Sequence, residues 1–127
     1  MPTKALPLVY SCSGCSSAAQ MANHFALRLS REGRAEMSCI AGVGGGVEQL
    51  VRIARQSRPI LALDGCVLHC VKACLAQQGL SADATVNLAD FGVKKRKFAD
   101  FSPTEAEQVW ESAILPAIRQ VSDAESA

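Results

Sequence analysis

The stretch Leu61-Ala62-Leu63-Asp64-Gly65-Cys66-Val67-Leu68-His69-Cys70-Val71-Lys72-Ala73-Cys74 decides the reading of the fold. The uniformly apolar run Ile60 to Leu63 fits a central strand covered on both faces. Asp64-Gly65 makes a sharp turn, and a helix is predicted from about Cys66 to Gln78, stopped at Gly79. Cys66, Cys70 and Cys74 recur at helical spacing, so they are predicted to share one helical face. Ser11-Cys12-Ser13-Gly14-Cys15 and Ser38-Cys39-Ile40-Ala41-Gly42 also set a cysteine where a strand should end.

On the N-terminal side, Leu8-Val9-Tyr10 is a short apolar strand between Pro7 and a Ser/Gly/Cys turn. From about Ser16 to Arg31, Ala18, Ala22, Phe25, Ala26 and Leu29 form one helical stripe, and Gly33 supplies the stop. Ala35 to Ala41 alternates apolar and polar, as an edge strand would. A glycine-rich turn follows at Gly42, Gly44, Gly45 and Gly46, then a helix burying Val47, Leu50, Val51 and Ala54. On the C-terminal side, Ala84 to Leu88 is a fourth strand interrupted by Asn87, and Gly92 to Phe98 is a loop or a short fifth strand. Ser102-Pro103-Thr104-Glu105 is a capping box opening the last helix, which Pro116 should kink or whose first part it should end. The core is placed at residues 8–121 of one domain spanning 1–127, with 122–127 as a disordered tail.

Strand and helix alternate, which predicts an α/β fold: a small three-layer parallel sheet of four or five strands with helices on both faces, Rossmann- or flavodoxin-like. The expected strand order is 2-1-3-4, with the half-polar strand at the edge. Strands 1 and 3 then flank the switch point where such sheets bind ligands, and Cys12, Cys39 and Cys66 fall at the carboxyl ends.

The 127 residues carry 13 basic and 12 acidic side chains, a net charge of +1 that gives no global field for nucleic acid or membrane. Aromatics are few, no apolar run nears the roughly 20 residues of a membrane span, and Met1 to Pro7 has no signal-peptide core. The reading is therefore cytoplasmic, with no nucleic acid or membrane partner. In that reducing compartment six cysteines are metal ligands or redox thiols rather than a disulfide framework.

A four-cysteine zinc site needs sulfurs at about 2.3 Å in a tetrahedron. Cys66 and Cys70 can reach one ion from a shared face, and the turns after strands 1 and 2 can each add a ligand. The net charge of two minus would be offset in part by helix N-termini, which also favour thiolates. Cys74, deeper in the helix, reads as core filling. Cys12-Ser13-Gly14-Cys15 is a CxxC that serves equally as a zinc knuckle or a redox pair. A phosphatase-type loop is excluded, because Ala18 and Met21 stand where its arginine belongs. The Gly42 to Val47 segment fails the dinucleotide fingerprint at Val47 and reads as a turn letting backbone approach the cysteines. His69 is read as exposed or supporting, Asp64 as fixing the loop, and Lys94 to Lys97 as a solvated face or an anion-facing one.

Asp64-Gly65-Cys66 with Cys70, preceded by Cys12-Ser13-Gly14 and by Cys39-Ile40-Ala41-Gly42-Val43-Gly44-Gly45, resembles the DGC-domain family of zinc-binding proteins. The resemblance runs from Leu8 to about Ser102 and implies zinc ligation by four cysteines, which fall on Cys12, Cys39, Cys66 and Cys70. Cys15 is extra to that set and could displace Cys39. The resemblance implies no reaction. One Zn²⁺ per chain is therefore the expected cofactor, an iron–sulfur cluster the weaker alternative. The competing functional reading is a thiol redox or sulfur-transfer enzyme using Cys12 and Cys15.

Overall fold

A computed structural model describes residues 5–126; the expectations for Met1–Lys4 and Ala127 lie outside them. Strand β1 (Leu8–Ser11) leads into helix α1 (Ser17–Arg31), and β2 (Glu36–Met37) into α2 (Ile40–Gly44) and α3 (Glu48–Ala54). Strand β3 (Ile60–Asp64) precedes α4 (Cys70–Gln77), and β4 (Ala84–Asn87) runs into a 3₁₀ turn at Leu88–Phe91. Helix α5 (Pro103–Val109), a π turn at Trp110–Ile114 and α6 (Leu115–Ser126) complete the chain. The strands form one parallel sheet in the order β2-β1-β3-β4, as the half-polar edge strand implied.

Side-chain alternation divides the core into two layers. Val9, Leu61, Leu63 and Val86 face α1, α5 and α6, where Phe25, Leu29, Trp110 and Ile114 are buried. Leu8, Tyr10, Ile60 and Ala62 face the opposite way, against Val43, Ala54, Val71 and Leu75 of α2, α3 and α4. Uniform burial of Ile60–Asp64 follows from this double covering. No helix among the described residues is long and apolar enough to cross a membrane.

Three local expectations change, and two others resolve between the alternatives given. The edge strand shrinks to two residues, because Cys39 already stands at the N-cap position of α2 and the glycine-rich segment is helical through Gly44. Glycine is tolerated there by packing: a Cβ on Gly44 would stand 2.7 Å from the Cys74 sulfur, so α2 and α4 meet at that point. Residues 92–98, read as a loop or a short fifth strand, are loop. Pro116, expected to kink the last helix or end its first part, lies in α6 just after a π turn that shifts the ladder, Leu115 N–H donating to the Trp110 carbonyl five residues back. Helix α6 reaches Ser126, through most of the stretch read as tail.

Candidate functional site

Parallel pairing aligns Ser11 of β1 with Leu63 of β3, so the chain leaves both strands side by side. Cys12 N–H donates to the Leu63 carbonyl at 3.1 Å, and Gly65 N–H then donates to the Cys12 sulfur at 3.1 Å. These contacts fix the floor of a cavity of about 350 Å³ at the carboxyl edge, between β1 and β3. Cys12, Cys15, Cys66, Cys70 and Cys74 all line it, with Ile40, Leu68 and Val71 as apolar wall.

Asp64, Gly65 and Cys66 have separate jobs. Asp64 is 1% exposed, and its carboxylate accepts from the backbone amides of Val71 (2.8 Å) and Lys72 (3.4 Å). It thereby caps α4, whose own N-cap residue, His69, makes no side-chain cap bond. Gly65 passes the first turn of α1 so closely that a Cβ would lie 2.7 Å from the Ala18 carbonyl carbon and oxygen and 2.8 Å from Ala19 N. Only a residue without a side chain fits. Cys66 follows on a short loop, its carbonyl accepting from the Asn87 side-chain amide at 2.8 Å.

This construction corrects the predicted cysteine helix. Asp64 holds the helix start at residue 70, and His69 enters it with φ +54°, so only Cys70 and Cys74 share a helical face. Cys66 reaches the same cavity from the loop instead. Cys15 is exposed, just before Ser16, the residue that caps α1 by accepting from Ala19 N–H. Cys74, read as core filling, is half-buried and faces the cavity. Cys39 stands apart: it is exposed at the start of α2 and lines a neighbouring hollow with Ser11 and Asn23. His69 is likewise outside the thiol cavity, between Asp64 (4.0 Å from Nδ1) and Asn87 (3.4 Å from Nε2).

The sequence reading overlooked Asn87 as a support and did not join the basic run to the thiols. Asn87 appeared as an interruption of β4, yet a polar residue at a carboxyl strand end was the available signal. The basic run is tied to α1: Ser17 N–H donates to the Arg96 carbonyl (2.9 Å) and Arg96 N–H to the Ser17 hydroxyl (3.0 Å). Lys95 and Lys97 therefore border the cavity, with Lys95 Nζ 3.9 Å from the Cys66 sulfur.

Burial pushes the Cys12 thiol up to about 11; the Gly65 amide opposes this, while Asp64, Cys70 and Cys66 add to it. Burial also raises Cys74, helped by Cys70 and Asp64. A Cys12 thiol pushed up in this way is a poor attacking thiolate for a CxxC redox pair. As a donor set, five thiols at one cavity suit a thiophilic ion. Among the described residues, no three His, Cys, Asp or Glu side chains already stand together as a metal-holding group.

Comparison with known proteins matches residues 8–113 to the DGC domain. The chain is 57% identical over 109 residues to the anaerobic and virulence modulator AnvM of Pseudomonas aeruginosa, covering 86% of this chain and 83% of that protein. No solved structure matches.

Proposed function

The chain belongs to the DGC-domain family, and from that premise we propose that it binds one Zn²⁺ at the thiol cavity and acts as a modulator rather than as a hydrolytic enzyme. The ligands are Cys12, Cys66 and Cys70, with Cys15 or Cys74 as the fourth. One observation carries this: five of the six cysteines, contributed by three separate segments, line one cavity at the sheet's carboxyl edge. Cys39, favoured with the other three by the sequence, becomes one of the two spare thiols because it lines a different hollow.

The bound ion would stabilise thiolates and join the three segments; a full shell of four sulfurs leaves no position for an activated water. The chain's own residues prepare the site. Asp64 holds the α4 start that carries Cys70, Gly65 brings the turn against α1, and Asn87 holds the Cys66 loop. Ligation requires the thiols to turn inward from where they stand, and it displaces their protons, which makes it pH-dependent. The relative's name refers to anaerobic and virulence modulation, which agrees with a thiol centre whose ligation follows redox conditions in a reducing cytoplasm.

The test is elemental analysis with thiol counting on anaerobically purified full chain. One zinc per chain, with about two thiols reactive before chelation and all six after it, is expected. Full thiol reactivity and no metal would defeat the proposal. Visible absorption of the same sample would identify an iron–sulfur cluster instead.

A further inference from the structure

The thiol cavity is much larger than one metal ion, and its volume of about 350 Å³ lies within the range of small-molecule sites. Three features of its lining define what would fit. Ile40, Leu68 and Val71 offer carbon surface. Lys95 and Lys97 bring two cations to the border, and among the described residues no carboxylate lines the cavity. The nearby Asp64 carboxylate is turned onto the Val71 and Lys72 amides. The thiols supply soft, nucleophilic sulfur beneath these cations, Cys66 lying 3.9 Å from Lys95 Nζ.

We propose that the cavity binds a small organic anion with a soft or electrophilic centre, its acid group held by Lys95 and Lys97 and that centre presented to the thiols of Cys66 and Cys70. The inference rests on the reading of this cavity as the working site and concerns its metal-free state, in which the Cys66 and Cys70 thiols are unligated. Apolar walls alone would admit neutral molecules equally, and exposed lysines alone would not select carbon. The basic run is also not free to swing away, since the backbone of Arg96 is bonded in both directions to Ser17.

Iodoacetate and iodoacetamide test this directly, because they differ in charge and little in size. With either reagent a cysteine thiolate forms a sulfur–carbon bond as iodide leaves. Reduced, metal-free full chain is treated with each reagent at low salt, and initial rates at every cysteine are read by mass spectrometry. Cys39, outside the cavity, is the internal reference for intrinsic reagent reactivity. The iodoacetate-to-iodoacetamide rate ratio at Cys66 and Cys70 is expected to exceed that at Cys39 by roughly tenfold, the combined reach of two border charges. In Lys95→Ala/Lys97→Ala the ratio should fall to the Cys39 value, and in Lys95→Glu/Lys97→Glu below it. These side chains are exposed, so the variants should unfold at the wild-type temperature. A ratio equal to that of Cys39 in the wild type, or one unchanged in the variants, overturns the proposal. Zinc content is measured on separate, untreated samples. Absent zinc with an intact anion preference would defeat only the metal reading, whereas bound zinc with no preference would defeat only this one.

Discussion

Replacing Gly65 by alanine separates a packing role from a merely flexible turn. The added Cβ would stand 2.7 Å from the carbonyl carbon and oxygen of Ala18 and 2.8 Å from the nitrogen of Ala19. These are backbone atoms in the first turn of α1, so no side chain can rotate to make room. Either α1 or the β3–α4 turn must move, against a core that includes Ala18, Met21 and Phe25. Overpacking costs about 1–3 kcal/mol, and a backbone obstacle places Gly65→Ala near about 3 kcal/mol. For a domain of this size that lowers the unfolding temperature by about 10 °C. Gly44→Ala is the control. Its Cβ would lie 2.7 Å from the Cys74 sulfur, which can turn, and 3.2 Å from the Cys74 Cβ, which must give by a few tenths of an ångström, while alanine recovers about 1 kcal/mol of helix propensity in α2. Urea unfolding at constant m measures both. A Gly65→Ala protein within about 0.5 kcal/mol of wild type, or a costlier Gly44→Ala, would refute the close-approach argument.

Asp64→Ala removes the acceptor for two amides at the start of α4 and should cost about 2–3 kcal/mol, with faster hydrogen exchange at the Val71 amide. Cys12 sets an alkaline limit in the metal-free chain. Its folded value is raised from 9.0 to about 11, so above pH 9 the unfolded chain loses this proton first. Stability should therefore fall between about pH 9 and 11, and Cys12→Ser should flatten that part of the profile in thermal melts. Among ligand variants, Cys39→Ser should keep one zinc per chain by elemental analysis, whereas Cys66→Ser or Cys70→Ser should lose it. Loss of zinc in Cys39→Ser would return that residue to the ligand set.

The fold was legible where one local pattern controlled it. The apolar run Ile60–Leu63 could only be a strand buried on both faces, and the capping box at Ser102 opens α5, with the Ser102 hydroxyl accepting from Glu105 N–H at 3.2 Å. The stripe through Ala18, Phe25 and Leu29 likewise produced α1 at its expected length. Misreadings arose where distant contacts override propensity. Glycines 42 and 44 look like loop residues in isolation, but their missing side chains are what let α2 pack against Leu50 and Cys74. Once the chain turns helical at Ile40, the alternating pattern from Ala35 cannot continue as strand, and β2 stops after Met37.

The cysteine cluster shows the same limit from the side of function. Strand order brought Cys12 and Cys66 together at the carboxyl edge, though not Cys39, because strand ends in a parallel sheet are neighbours whatever their separation in sequence. It could not say that the Asp64 carboxylate reaches seven residues ahead to the Val71 amide, and this contact sets where α4 begins. That single tertiary bond changes the geometry of the motif: Cys66 approaches from a loop and Cys70 from a helix, rather than both from one helical face. It also accounts for the division among the cysteines. Those carried by the β1–α1 loop, the β3–α4 turn and α4 meet at the switch point, while Cys39 follows the short edge strand into a separate hollow. Lys95 and Lys97 join the first group only because Arg96 is bonded to Ser17, a partner 79 positions away. A charge run reads as solvated surface until such an anchor shows what it overlooks.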